Sequence, residues 1–221
     1  MPQSDHPKVL MPNCLSIDPQ SPDSKTLDQA VQVIESGGVV AFPTETFYGL
    51  AVDPENVFSV RKLFKVKGRD SDKAIPLIAA DAAQVESRIS SLSVDELRLA
   101  DRFWPGPLAL VIRASENLAW NLHAGTVAVR VPRHTMARML VNQVGRPITA
   151  TSANISGALP AVSADEVYET LGSVLDLILD GGTTPGGLAS TIVRVDQCGP
   201  VLIRAGVLPW ERVLESFSSV K

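Results

Sequence analysis

The chain contains few cysteines and no long uninterrupted run of apolar residues. Cys14 and Cys198 are its two cysteines, and because they are isolated and form no C-x-x-C pair, the sequence gives almost no support for a disulfide framework or a metal site. No segment approaches the roughly 18 consecutive apolar residues that a membrane span requires, and the polar, proline-rich N-terminus lacks the apolar centre of a secretory signal. We therefore expect a cytoplasmic protein with reduced thiols and no membrane partner.

A positive charge excess is also absent, since the formal net charge is -4. A general nucleic-acid coat carries many more basic than acidic residues, so this class is disfavoured, although a local basic cleft remains compatible with the total. Aromatic residues make up 5% of the chain, which gives few platforms for stacking bases. The composition thus favours a globular protein over a nucleic-acid-coating protein.

What the sequence does contain is an alternation of helical and extended hydrophobic patterns, which predicts an α/β fold with helices layered on a sheet. We expect one domain over 24–221, preceded by a flexible segment over 1–23. The predicted helices cover about 24–36, 56–64, 81–88, 93–103, 135–144, 163–171 and a segment from 209 onward. The predicted strands cover about 39–42, 75–79, 108–113, 126–131, 148–151, 175–179, 191–195 and 201–204.

Two polar segments follow predicted strands directly. The first, 43–50, places Thr44, Glu45 and Thr46 at a strand end, where open sheets usually bind ligands. The second, 151–157, offers hydroxyl and amide groups in an irregular loop. Each segment also fits a structural interpretation, either as a turn whose side chains satisfy backbone groups or as a helix cap.

Basic residues are concentrated between 61 and 73. Lys67 and Arg69 flank Gly68 beyond the predicted helix, so two cations could converge on one anion such as a polyphosphate. The alternative is that these charges are simply solvated.

Arg130 is unusual because it lies on a predicted buried strand, on the same side as Thr126 and Ala128. A buried guanidinium is costly without a partner. Either a structural carboxylate or a substrate carboxylate would satisfy it, and the residues alone leave both open.

No side chain is nominated as a covalent nucleophile or metal ligand. The chain lacks a G-x-S-x-G elbow, its histidines (His6, His123 and His134) lack metal-ligand spacing, and the glycine-rich loop 181–187 lacks the Walker pattern. The residues instead indicate a pocket of hydroxyls and cations that acts on an anionic substrate by positioning and charge stabilisation.

The same segments, in this order, resemble the YrdC-like domain family of threonylcarbamoyl-AMP synthases from about Ser24 to Leu214. The resemblance implies an α/β fold with a twisted mixed β-sheet flanked by helices around a concave basic cleft. The chain departs from the family pattern at two places. Ala109 stands where many relatives have threonine, and 75–80 lacks a histidine that some relatives have. The matching motifs are 43–50, 67–69, 104–107, 126–132, 152–154 and 190–191.

The resemblance further implies a nucleotidyltransferase that makes threonylcarbamoyl-AMP and pyrophosphate from L-threonine, bicarbonate and ATP, for modification of tRNA next to the anticodon. Magnesium would arrive with the ATP, and Lys67 and Arg69 would stabilise charge. The implied threonine contacts are Thr44, Arg130, Ala150 and Ser190. The implied ATP contacts are Lys67, Arg69, Lys73, Thr126, Ser152, Asn154 and Arg204.

Two alternative functions share this cleft. One is an RNA-binding translation or ribosome-assembly factor, which would require a broad basic stripe where this chain has short clusters. The other is a paralogue that adenylates another carbamoyl compound. RNA or tRNA, and the proteins that transfer the threonylcarbamoyl group to tRNA, are the partners that the resemblance suggests.

Overall fold

The computed structural model describes residues 13–68, 74–114 and 125–218. The helices are α1 (Ser24–Glu35), α2 (Val57–Lys67), α3 (Ala82–Arg88), α4 (Val94–Phe103), α5 (Thr135–Val144), α6 (Ala164–Leu171) and α7 (Trp210–Ser218). The strands are β1 (Cys14–Ser16), β2 (Val40–Pro43), β3 (Tyr48–Ala51), β4 (Leu77–Ile78), β5 (Leu108–Arg113), β6 (Thr126–Arg130), β7 (Ile148–Thr149), β8 (Thr151–Ser152), β9 (Leu177–Asp180), β10 (Thr191–Asp196) and β11 (Gly199–Arg204).

The strands form two mixed sheets, which confirms the predicted α/β class. The first sheet has the order β1-β9-β2-β3-β8, and the second has the order β11-β10-β5-β6-β4-β7. Helices α1 and α5 pack on one face of the first sheet, while α2 and α6 cover its other face. Helices α3, α4 and α7 pack on one face of the second sheet. None of the described helices is long and apolar enough to cross a membrane.

The helices and most strands lie where the hydrophobic periodicity predicted them. One difference is at the start of α1, where Asp23 is the N-cap and accepts from the backbone N–H of Thr26 at 2.8 Å. The sequence also allows Ser24 as the cap, because a serine hydroxyl accepts from N-terminal N–H groups, but Ser24 is the first residue of the helix. Both residue types are good caps, so composition could not distinguish them.

The N-terminal segment differs from its prediction in one respect. Cys14–Ser16 forms β1, which pairs in parallel with β9, and Ile17 is buried. The sheet therefore includes part of the segment 1–23. The flexibility expected for this segment stays a prediction for residues 1–12, which lie outside the described residues.

The segment 43–50 was expected to be a loop after a strand, but it is mostly a β-hairpin. Strand β3 pairs antiparallel with β2, and the turn covers 44–47, where the N–H of Thr44 donates to the carbonyl of Phe47 at 3.2 Å. The strand was missed because its residues directly follow the polar turn and were interpreted together with it. The hairpin places Thr44, Glu45 and Thr46 at its tip.

The single strand predicted over 148–151 is divided between the two sheets. Strand β7 pairs with β4 in the second sheet, and β8 pairs with β3 in the first. Between them, the N–H of Ala150 donates to the carbonyl of Pro76 at 2.9 Å. This crossing, residues 148–152, is a covalent connection between the sheets.

Thr149 secures the crossing from within the core. Its side chain is fully buried, and its hydroxyl donates to the carbonyl of Leu50 at 3.1 Å and accepts from the N–H of Val52 at 2.9 Å. One hydroxyl of the second sheet therefore satisfies two backbone groups at the end of β3.

Thr149→Val should lower the free energy of unfolding by about 1–3 kcal/mol, because valine keeps the shape but removes the hydroxyl that accepts from the buried N–H of Val52 and donates to the carbonyl of Leu50. Denaturant unfolding measures the change. Thr170→Val is the matched control, since its hydroxyl also donates to a carbonyl, that of Glu166, but is exposed to water. Equal losses in the two variants would contradict the role of Thr149.

Candidate functional site

A cavity of about 870 Å³ lies between the two sheets. One of its walls is the face of the second sheet that α3, α4 and α7 leave open. Because successive side chains of a strand point to opposite faces, alternate residues of each strand line the cavity while the others enter the core. Thus Ala109 and Val111 of β5 line the cavity, whereas Leu108, Leu110 and Ile112 are in the core.

The opposite wall comes from the first sheet. It includes the hairpin tip, with Thr44 and Thr46, and the end of the crossing, with Thr151 and Ser152. Several of these polar side chains are nearly buried, which concentrates hydroxyl groups on the wall of one cavity. Such a cavity is large enough to hold a small-molecule ligand.

All four residues expected to contact threonine line this one cavity. Thr44 lies at the hairpin tip, Arg130 at the end of β6, Ala150 within the crossing, and Ser190 directly before β10. They come from both sheets and from distant parts of the chain. The fold therefore brings the predicted set together, while their contact with threonine stays a prediction.

The residues expected to contact ATP are divided. Thr126, Ser152 and Arg204 line the cavity. Lys67 and Asn154 do not line it. Arg69 and Lys73 lie outside the described residues, so their role stays a prediction.

Lys67 is the last residue of α2 and not, as expected, beyond the helix end. It is 3% exposed, and its ammonium donates to the carbonyls of Ser152 at 2.5 Å and Asn154 at 2.9 Å, and to Oδ1 of Asn154 at 3.1 Å. Ser152 Oγ donates to the same Oδ1 at 2.6 Å. The ammonium thus holds the 152–154 loop from behind, and the contact with an anion expected of Lys67 stays a prediction.

Arg130 has a structural carboxylate partner, which was one of the two alternatives left open by the sequence. Its Nη1 donates to Oε1 of Glu45 in an ion pair whose side chains are 9% and 19% exposed. Arg130 also lines the cavity, so the ion pair does not remove it from the site. Burial lowers the pKa of the Arg130 guanidinium, and the carboxylate of Glu45 opposes this shift.

Arg204 is the second guanidinium of the site. Its Nε and Nη2 donate to the carbonyl of Ser190 at 3.3 and 2.8 Å, and it has no carboxylate partner in the described parts of the chain. Burial and the positive charge of Arg130 both lower its pKa. A bound anion would relieve this repulsion. A broadly basic cleft stays a prediction, because Glu45 balances one of these charges.

Sequence reasoning missed Arg194, a polar residue of the cavity wall. Strand alternation could have found Arg194, since Ser190, Ile192 and Arg194 follow one another on the same face. It could also have separated them from Val193, which lies in the core.

A close backbone approach fixes the position of Ser190. A Cβ atom at Gly206 would lie 2.2 Å from the carbonyl oxygen of Ala189 and 2.5 Å from the carbonyl carbon of Ser190. The neighbouring N–H of Val207 donates to the carbonyl of Ala189 at 2.9 Å. Only glycine permits this packing, which holds Ser190 at the cavity wall.

Three known proteins that are similar to this chain have the same name. A Pyrococcus abyssi threonylcarbamoyl-AMP synthase is 39% identical over 194 residues, which cover 87% of this chain and 57% of that protein. A Vibrio vulnificus threonylcarbamoyl-AMP synthase is 39% identical over 159 residues, 70% of this chain and 86% of that protein. A Bacillus subtilis relative with the same name is 36% identical and is covered to 58% of its length.

Among solved structures, P. abyssi Sua5 complexed with L-threonine matches with a TM-score of 0.84 and 36% identity, covering 92% of this chain and 60% of that one. The chain thus spans less than two thirds of the length of the P. abyssi and B. subtilis relatives. A family model described as "Telomere recombination", which groups Sua5, YciO and YrdC, matches residues 32–206. Since this match extends over most of the chain, the chain belongs to the Sua5/YciO/YrdC family.

Proposed function

We propose that this chain is an L-threonylcarbamoyladenylate synthase, a nucleotidyltransferase that forms threonylcarbamoyl-AMP and pyrophosphate from L-threonine, bicarbonate and ATP. One observation carries the proposal: a single cavity gathers the four expected threonine contacts with three of the expected nucleotide contacts. The relatives named threonylcarbamoyl-AMP synthase, and the similar P. abyssi structure that holds L-threonine, support the same function.

The threonine would lie between the hairpin tip and β6. Arg130 offers a guanidinium to its carboxylate, because the N–H groups of this side chain other than the one that donates to Glu45 have no hydrogen bond to the described residues. Thr44 and Ser190 add hydroxyls from the two walls. Ala150 would contribute through its backbone at the crossing.

The nucleotide would lie beside it, toward Thr126, Ser152 and Arg204. Arg204 is suited to phosphate oxygens, because its charge has no carboxylate counterpart in the described ranges. Lys67 would hold the loop of Ser152 and Asn154 in position. Arg69 and Lys73 complete the proposed set as cations for the triphosphate.

Magnesium is treated as part of the nucleotide substrate. The described residues contain no cluster of three or more His, Cys, Asp or Glu side chains that could hold a metal ion. Phosphate oxygens and water are ligands that magnesium accepts readily. In this proposal the ion arrives with ATP.

The chemistry requires alignment more than a protein nucleophile. The threonine amine takes up bicarbonate with loss of water to give an N-carboxylate. An oxygen of this carboxylate attacks the α-phosphorus, and the bond from that phosphorus to the bridging oxygen of pyrophosphate breaks. Arg130 would orient the nucleophile, while Arg204 would stabilise the charge that accumulates on the leaving group. The product would pass to proteins that transfer the threonylcarbamoyl group to tRNA.

Pyrophosphate release from ATP should require both L-threonine and bicarbonate. The reason is that ATP has no acceptor until the N-carboxylate forms. A coupled pyrophosphate assay, with each substrate omitted in turn, measures this dependence. Equal release without threonine would overturn the proposed function.

Arg204→Ala should weaken ATP binding by about 1.5–3 kcal/mol, the scale of hydrogen bonds to a charged group. Isothermal calorimetry with ATP gives the affinity. Arg212→Ala serves as the control, since Arg212 is exposed, does not line the cavity and pairs with Glu215. An unchanged affinity in the Arg204 variant would remove this residue from the nucleotide site.

Arg130→Lys should keep the fold and raise the dissociation constant for threonine by about tenfold or more. An ammonium can still pair with Glu45, but it cannot present two parallel N–H donors to a second carboxylate. Calorimetry with threonine and a thermal melt separate binding from stability. A variant that melts much earlier yet binds threonine normally would assign Arg130 a purely structural role.

A further inference from the structure

The ion pair of Glu45 and Arg130 joins the two walls of the cavity. Glu45 belongs to the hairpin tip of the first sheet, and Arg130 ends β6 in the second sheet. The pair is largely buried, so water competes weakly with it. It is therefore less screened than a surface ion pair, and it links the two sheets beside the space in which the substrate would lie.

Backbone hydrogen bonds also hold the chain at or next to each partner of the ion pair. The carbonyl of Arg130 accepts from the N–H of Ala79 at 2.9 Å, which fixes the end of β6 to the strand beside it. Thr46, next to Glu45, accepts from the N–H of Gly186 at 2.7 Å through its carbonyl. The carboxylate of Glu45 thus extends from a constrained turn toward a constrained strand end.

Only one of the two carboxylate oxygens of Glu45 has hydrogen-bond partners among the described residues. Its Oε1 accepts from Nη1 of Arg130 and, at 3.4 Å, from the backbone N–H of Arg133. Its Oε2 is buried and has no hydrogen-bond partner in the parts of the chain that the structure describes. Neither oxygen lies among the groups that line the cavity, whereas Arg130 does line it.

We propose that Glu45 is a positioning residue, which sets the orientation of the Arg130 guanidinium and thereby the affinity for the carboxylate of the amino-acid substrate. This inference rests on the proposed function. A guanidinium is a planar fork, and a carboxylate held at one corner fixes the direction in which the other N–H groups point. Glu45 would act through Arg130 without touching the substrate.

This role predicts that the length of the side chain at position 45 matters more than its charge. Glu45→Asp keeps the charge but is one methylene shorter, so the guanidinium must move to keep its partner. Glu45→Gln loses the charge but keeps an oxygen at the same reach. A small displacement at such a site is costly for binding, whereas preserved geometry is not.

The test measures threonine affinity by calorimetry and KM and kcat by pyrophosphate release. Glu45→Asp should raise the threonine dissociation constant and KM by about tenfold, and leave kcat at saturating threonine within about threefold. Glu45→Gln should stay within about threefold of the wild type in all three quantities. The affinity for ATP should be unchanged in both.

Asp53→Asn provides a matched control. Asp53 pairs with Arg146 at 2.8 Å, its carboxylate is buried to a similar extent as that of Glu45, and neither residue of the pair lines the cavity. This variant should lower the melting temperature without changing the threonine KM. A merely structural ion pair at Glu45 would behave in the same way.

Two results for the Glu45 variants would overturn the positioning role. One is a Glu45→Asp variant with wild-type threonine affinity. The other is a Glu45→Gln variant that binds threonine more weakly than Glu45→Asp, since charge balance would then dominate. If the wild-type protein itself fails to bind threonine, the proposed function is wrong and this inference falls with it.

Discussion

The crossing over 148–152 is the constraint on which the site depends. One short segment pairs in the second sheet at β7 and in the first sheet at β8, so the two sheets are held close together at this point. The buried hydroxyl of Thr149 adds two hydrogen bonds to the end of β3. The width of the cavity is thus set by covalent geometry and by core packing, before any ligand is present.

Electrostatics divides the cavity into two unlike regions. Near the hairpin tip, the charge of Arg130 is balanced by Glu45, so recognition of an anion there depends on the orientation of the guanidinium. Near Ser190, the charge of Arg204 has no counterpart in the described ranges, and its pKa is lowered by burial and by Arg130. A compensated cation suits a single carboxylate, whereas an uncompensated cation suits a polyphosphate. The two proposed substrates therefore match two regions of the same space.

Much of the fold could be predicted from the sequence because the spacing of apolar residues in amphipathic helices and alternating strands shows which side chains are buried. The shared face of Thr126, Ala128 and Arg130 followed directly from strand alternation. The pattern gave no sign that the chain changes sheet within 148–151, and β3 was interpreted as part of the polar segment 43–50.

The site was predictable to a smaller extent. Arg130 was recognised as needing a partner, but its partner Glu45 is 85 positions away, and no local pattern connects them. Lys67 looked like a free cation at a helix end, although it is buried on the 152–154 loop. Pairings of this kind depend on how the sheets meet, and that is a property of the whole chain.

The close approach at Gly206 links the site to the far side of the second sheet. The same short segment that packs on Ser190 leads into α7, and Val213 of that helix is buried in the core behind the sheet. The C-terminal helix is therefore connected to the cavity wall through this packed segment. A displacement of this helix would therefore shift the backbone that packs on Ser190, and with it one wall of the cavity.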